Sequence, residues 1–324
     1  MKAVVFDNEL RIEDRPRPFA SGRECLIRLL KAGICNTDIE ITKGYFGFTG
    51  VLGHEFVGIV EAAPTAFLVG QRVVGEINAA CQACEYCRKG LQRHCPGRTV
   101  LGILRRDGAF REFFTLPEEN LHAVPEAIPD EDAVFTEPIA AACEILDQVS
   151  IGPEQHVAVL GDGKLGLLIA MVLSSTGCQL TLIGKHAAKM DVVKDYPLRS
   201  MAMEVALGLA RSFDAVVEAT GSPQGWELAL RLVKPRGTVV LKSTFHGQIA
   251  FNPAPIVVDE ITIVGSRCGR FEAALSLLGK RSIHPGRLVQ HTLPLQQGLK
   301  AFELAKQPGV LKVVLEPGEV PPKV

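Results

Sequence analysis

The sequence lacks any apolar run long enough to cross a bilayer; its longest, Leu165 to Leu173, falls well short of a span. It also lacks a charge excess. A formal net charge of -1 gives no bulk attraction to nucleic acid or to an anionic membrane surface, so neither is expected as a partner. Fixed-period repeats and low-complexity tracts are missing as well. The opening Met1-Lys2-Ala3-Val4-Val5-Phe6 meets Asp7 before the apolar stretch of a signal peptide can build, so a cytoplasmic location is expected. What is there is a chain of 324 residues, 47% hydrophobic and 22% charged, with the composition of a soluble globular protein. That length favours two domains over one core.

Nine cysteines are present, and four crowd together as Cys81-Gln-Ala-Cys84-Glu-Tyr-Cys87 and Cys95. A C-x2-C-x2-C-x7-C run suits a closed tetrahedral Zn²⁺ cage in a reducing compartment. The lobe has few apolar residues, so the metal would replace a core; structural zinc in small peptides contributes roughly 10–16 kcal/mol. A disulfide framework or an iron–sulfur site would use the same residues.

About the first 125 residues read as β-rich, with short strands such as Cys25–Leu30, Val57–Val60 and Arg72–Val74 broken by glycine and proline. From Glu154 the texture alternates strand and helix. Strands are expected at His156–Leu160, Leu180–Ile183, Ala215–Glu218, Thr238–Leu241 and Ile261–Val264, with helices at Leu165–Ser175 and Pro223–Val233. Such alternation predicts an α/β fold with a parallel sheet covered on both faces. A helix over Gln296–Ala305 and a strand over Leu311–Leu315 close the chain.

Gly161-Asp162-Gly163-Lys164-Leu165-Gly166 matches G-x-G-x-x-G between a strand and a helix, the context a dinucleotide pyrophosphate needs. The glycines allow the tight turn and close approach, and the helix N-terminus supplies N–H donors. The next strand ends in Gly184-Lys185-His186, followed by Lys189, so no carboxylate stands at that tip to repel a 2′-phosphate and cationic side chains are at hand. NADP(H) is therefore expected over NAD(H), unless Lys185 and Lys189 merely form a solvated face.

Cys35 in Gly33-Ile34-Cys35-Asn36-Thr37-Asp38, and His54 and Glu55 in Gly53-His54-Glu55-Phe56-Val57-Gly58, offer thiolate, imidazole and carboxylate. That donor set suits a catalytic Zn²⁺ with an open position, although each is a single residue with ordinary structural alternatives. The order of these two motifs, the four-cysteine lobe and the glycine turn resembles the zinc-dependent medium-chain alcohol dehydrogenases. The likeness runs through Gly70-Gln71-Arg72-Val73, Glu218-Ala219-Thr220-Gly221 and Lys312-Val313-Val314-Leu315, and so covers essentially the whole chain.

The resemblance implies a Rossmann domain (131–268) inserted in a chaperonin-10-like catalytic domain (1–130 and 269–324), with the zinc lobe at 78–98. It implies two zinc ions, one catalytic and one structural. Cys35 and His54 match catalytic ligands, and the third is either Glu55 or Glu137 of Thr136-Glu137-Pro138, as in the polyol, threonine and sugar dehydrogenase branches. Thr37 matches a hydroxyl beside the substrate oxygen, and Glu40 either a proton-relay position or a surface helix residue. Asp38 matches a residue orienting the ligand imidazole. Thr220, Gly221 and, more weakly, Arg267 match cofactor contacts. Cys143 has no assigned role. The implied reaction is hydride exchange between an alcohol, or its aldehyde or ketone, and the nicotinamide, in a homodimer or homotetramer. The alternatives are a zinc-free NADPH quinone or enoyl reductase, and a non-catalytic cofactor-binding protein. A nucleic-acid-binding zinc ribbon is disfavoured, because only Arg88, Lys89, Arg93 and Arg98 gather at the lobe.

Overall fold

A computed structural model describes residues 1–243 and 252–318. The chain forms two compact units: Met1–Glu137 with the described chain from Phe271 onward, and Pro138–Arg270.

The first unit opens with β1 (Lys2–Asp7) and β2 (Glu9–Asp14), an antiparallel pair. There follow β3 (Glu24–Gly33), α1 (Asn36–Ile41), β4 (Gly50–Val51), β5 (Glu55–Ala62) and β6 (Arg72–Gly75). The cysteine lobe carries β7 (Asn78–Ala79), α2 (Glu85–Arg88), β8 (Thr99–Leu101) and β9 (Arg105–Arg106). Then come β10 (Phe113–Pro117), β11 (Leu121–Ala123), α3 (Asp130–Ala133) and α4 (Thr136–Gln148), within which the second unit begins.

The second unit continues with β12 (His156–Leu160), α5 (Lys164–Ser174), β13 (Gln179–Gly184), α6 (Ala187–Met190), β14 (Arg199–Ala202) and α7 (Met203–Ala206). It ends with β15 (Phe213–Glu218), α8 (Pro223–Leu232), β16 (Val233–Leu241), α9 (Ala254–Val258) and β17 (Thr262–Gly265). Its six strands are all parallel, in the order β14-β13-β12-β15-β16-β17. This is the doubly wound Rossmann order, and its direction reverses at β12, the strand that leads into the glycine turn. Strands buried on both faces need apolar runs rather than alternation, as Val157–Leu160 and Leu182–Ile183 show at no exposure. On one face Trp226, Leu228, Ala229 and Leu232 of α8 pack with Phe213, Val216 and Val239. The start of α8 is fixed by Ser222, whose Oγ accepts the Gly225 N–H at 3.1 Å, with proline at the first helical position.

The chain then returns to the first unit through α10 (Phe271–Gly279), β18 (Val289–Pro294), α11 (Gly298–Ala305) and β19 (Lys312–Glu316). The main sheet there runs β11-β6-β5-β3-β19-β18, with β10 also on β3. Its register positions the site. Gly33 at the end of β3 stands opposite Glu55 at the start of β5 and opposite Val314 of β19. The loop carrying Cys35 and the segment carrying His54 and Glu55 therefore leave the sheet side by side.

The expected strands and helices are present with shifted ends; β16, for instance, begins at Val233 rather than Thr238. Strand β14 was not legible. Only Met201 of its four residues is buried, so an edge strand there carries no periodic apolar signal.

Candidate active site and metal centres

In the lobe the four thiols face one another. Sγ–Sγ separations are 3.5 Å for Cys84–Cys87 and Cys81–Cys95, 3.7 Å for Cys84–Cys95 and 3.9 Å for Cys81–Cys87. A Zn–S length of about 2.3 Å in a tetrahedron requires edges of about 3.8 Å, so the cage fits one ion. A disulfide needs about 2.05 Å, and all four cysteines are free. N–H groups of Ala83 and Cys84 pull the Cys81 thiol down to about 6, whereas burial pushes Cys87 up to about 12. The turn therefore favours the Cys81 thiolate, and a metal would have to deprotonate Cys87 against its burial.

The second group is Cys35, His54 and Glu55, whose ligand atoms lie within 4.8 Å of one another. Cys35 caps α1 and is partly accessible; His54 and Glu55 are buried. Asp38 links the two ligand-bearing segments. Its Oδ2 accepts the Cys35 N–H at 2.8 Å and its Oδ1 the Gly53 N–H at 3.3 Å, while Oδ1 lies 3.2 Å from His54 Nδ1. With Nδ1 turned to a carboxylate, Nε2 is the imidazole atom left for a metal. Burial lowers the affinity of His54 for a proton, but Asp38 and Cys35 more than offset it and raise the pKa well above 6.5. Asp38 and Cys35 thus favour positive charge on the buried imidazole.

Glu55 has a second partner that sequence reasoning missed. Lys312 on β19 donates to its Oε2, and both side chains are almost fully buried. The lysine nitrogen also lies 5.2 Å from the centre of the Phe135 ring. Glu137, in the first turn of α4, is not among the mutually close ligand atoms. Thr37 lies on α1 with its Oγ1 3.8 Å from Cys35 Sγ. Glu40, one turn on, pairs with Lys43 at 2.9 Å on the helix surface.

In the second unit the glycine turn is built for close approach. Gly161 has φ +117°, and a Cβ there would lie 2.7 Å from the Ala219 carbonyl oxygen. A Cβ on Gly166 would lie 2.0 Å from the Gly161 carbonyl oxygen, whereas one on Gly163 meets nothing within 4 Å. The open side at Gly163, with Lys164 and Leu165 starting α5, fits a pyrophosphate. Glu218 braces the neighbouring turn. Its Oε1 accepts the Thr220 N–H at 2.7 Å, its Oε2 takes Ser243 Oγ–H, and Ser243 in turn accepts the Gly221 N–H at 2.8 Å. Arg267 is exposed after β17, and its carbonyl accepts from Lys242.

One premise of the sequence reading changes here. Gly184 ends β13 without a carboxylate, but Asp162 reaches across from the glycine turn and occupies that tip. Lys185 and His186 are exposed and Lys189 is half-buried on α6. The tip of β13 therefore carries a carboxylate, supplied by Asp162 rather than by the strand itself. The only sequence signal was an acid at the first variable position of the turn.

Residues 21–126 match the alcohol dehydrogenase GroES-like domain and residues 165–280 the zinc-binding dehydrogenase domain. The sorbitol dehydrogenase of Halalkalibacterium halodurans is 30% identical over 98% of this chain and 99% of its own. A zinc-binding dehydrogenase of Sinorhizobium meliloti 1021 bound to NADP superposes with a TM-score of 0.89 at 25% identity, covering 98% of this chain and 99% of that one. The rspB alcohol dehydrogenase of Escherichia coli CFT073, complexed with NADH, does so with a TM-score of 0.89 at 26% identity and the same coverage. The fold and the paired ligand sets define a zinc-binding oxidoreductase of the medium-chain type. The chain belongs to the zinc-dependent medium-chain polyol dehydrogenases, enzymes acting on CH–OH donors. Among the described residues no helix is long and apolar enough to cross a membrane.

Proposed function

We propose that this enzyme oxidises a secondary alcohol of a polyol or related sugar alcohol, and reduces the corresponding ketone, with a nicotinamide dinucleotide as hydride partner. The observation that carries the reading is the convergence of Cys35, His54 and Glu55 beside a fixed Asp38. These residues would hold one Zn²⁺, which supplies Lewis acidity for the alcohol oxygen when bound. A zinc-free reductase has no use for such a donor set.

The chain's own residues divide the remaining work. Asp38 fixes the imidazole tautomer and ties the Cys35 loop to Gly53, so the donors are pre-arranged. The Thr37 hydroxyl, 3.8 Å from the Cys35 sulfur, would take the alcohol proton outward. Glu40 is tied to Lys43 and is read as a helix-surface residue rather than a relay. In the second unit Gly161, Gly163 and Gly166 seat the pyrophosphate, and Thr220 and Gly221 line the adjoining turn. Cys81, Cys84, Cys87 and Cys95 hold a structural Zn²⁺. Glu55 is the third donor to the catalytic ion, with Glu137 as the substituting carboxylate. A homodimer or homotetramer in the cytoplasm completes the proposal.

The test is a panel of polyols, sugars, simple alcohols and ketones followed by nicotinamide absorbance at 340 nm. Turnover of a polyol with loss after chelation supports the reading. Turnover of quinones or enoyl compounds alone, unaffected by chelation, would exclude it.

A further inference from the structure

In NAD-type sites the second Rossmann strand ends in an acid whose carboxylate takes the ribose 2′-hydroxyl. Here that strand, β13, ends in Gly184, yet the space is not empty. A Cβ at position 184 would lie 2.6 Å from Cβ of Asp162 and 2.7 Å from its Oδ2. Asp162, 8% exposed, lies 22 positions earlier in the glycine turn. Its Oδ2 accepts the Lys185 N–H at 2.7 Å and the His186 N–H at 2.5 Å, with the His186 Nδ1 at 3.0 Å. The glycine and the aspartate have exchanged roles: the strand end gives up its side chain, and the turn supplies the carboxylate.

Resting on the dehydrogenase reading above, we infer that Asp162 is the selectivity-determining residue of the dinucleotide site and makes it prefer NAD(H) to NADP(H). Two consequences of the geometry carry this. First, the backbone N–H groups at 185 and 186, the donors a 2′-phosphate would need, are already taken by Oδ2. Second, a largely buried carboxylate opposes a dianion placed against it, whereas it accepts a hydrogen bond from a 2′-hydroxyl. Oδ1 makes none of these three contacts and is the atom assigned to the ribose. Lys185 is exposed, and the Lys189 ammonium is a flexible point charge, so solvent screens their attraction for a phosphate more than it screens the fixed acid.

The test is calorimetric titration of the full-length protein with ADP-ribose, 2′-phospho-ADP-ribose, NADH and NADPH. NADH and ADP-ribose should bind at least about tenfold more tightly than their phosphorylated counterparts. In Asp162→Ala and in the nearly isosteric Asp162→Asn this ratio should narrow or invert, chiefly through tighter binding of the phosphorylated pair. NADPH binding as tightly as NADH, or a wild-type ratio retained in both variants, overturns the inference and leaves the dehydrogenase reading intact. If none of the four ligands binds, the dehydrogenase reading falls and the inference with it.

Discussion

Lys312 and Glu55 form a buried ion pair across 257 positions of sequence, joining β19 to the segment that carries His54. Two nearly inaccessible groups of opposite charge hold each other in an environment where neither would be stable alone. The pair gives Glu55 a fixed counter-charge and therefore a fixed orientation beside Cys35 and His54.

Removing that counter-charge should be costly in a metal-dependent way. Lys312→Met leaves a carboxylate buried without its lysine, a change of roughly 3–5 kcal/mol. The loss of thermal stability should be greater in metal-free protein than in zinc-loaded protein, because a bound cation next to Glu55 replaces the ammonium. Melting curves with and without chelator measure the difference; equal losses in the two states would count against the pairing.

Zinc stoichiometry separates the two centres. Wild-type protein is expected to hold two ions per chain, and Cys35→Ser or His54→Ala should lose one while keeping dinucleotide binding. Glu55→Gln should weaken retention of the same ion more than Glu137→Gln, since only Glu55 lies within the close donor group. Elemental analysis after graded dialysis against chelator provides the count; the reverse ranking would make Glu137 the third donor.

The lobe should respond differently. Cys95→Ser removes one corner of a cage with 3.5–3.9 Å edges, and the lobe has little core to fall back on. One zinc should be lost together with several degrees of melting temperature, before any change in chemistry at the other centre. Proteolytic susceptibility near residues 81–95 provides the readout.

Two glycines only three positions apart should behave unlike each other. Gly166→Ala forces a Cβ to 2.0 Å from the Gly161 carbonyl oxygen, so stability and dinucleotide binding should both fall. Gly163→Ala meets nothing in the protein, so the melting temperature should stay near wild type while dinucleotide affinity drops about tenfold or more. Melting curves paired with cofactor titration decide both.

A pH effect is expected from Asp132 on α3, which accepts the Gly286 N–H at 2.7 Å. Burial raises its pKa above 3.8, and the Gly286 bond only partly opposes this. A raised carboxylate disfavours the fold once ionised, so the penalty is present above the folded pKa and vanishes as pH falls toward the unfolded value. Asp132→Asn should therefore raise thermal stability slightly at neutral pH, and its advantage should disappear near pH 4. A lower melting temperature at pH 7 would show that ionisation at this site is not a burden.

What could be read from the sequence was what folds locally. The four cysteines lie within fifteen positions, and the glycine turn lies between its own strand and helix, so spacing alone carries their geometry. Cys35 and His54 became legible only through family order, because nothing local distinguishes a ligand from a buried cysteine or histidine. Lys312 and Asp162 escaped because their significance is set by partners that only the fold supplies, on β5 and at the end of β13. Gly184 looked like a missing acid; the space its absent side chain leaves is filled by Asp162 from the turn after the neighbouring strand β12. Glu40 reads from sequence as either a relay position or a helix-surface residue, and the fold adds its ion pair with Lys43.

Because Lys312 lies on β19, 257 positions after Glu55, the pocket around Glu55 stays incomplete until that strand has been synthesised. Ribosomes release the imidazole and thiolate long before the lysine that steadies their neighbour emerges. A product interrupted anywhere before β19 would carry both metal-binding motifs and the entire dinucleotide-binding unit, yet leave an acid without its counter-ion. Premature termination is thus expected to yield an inactive polypeptide prone to degradation, rather than a weakened enzyme.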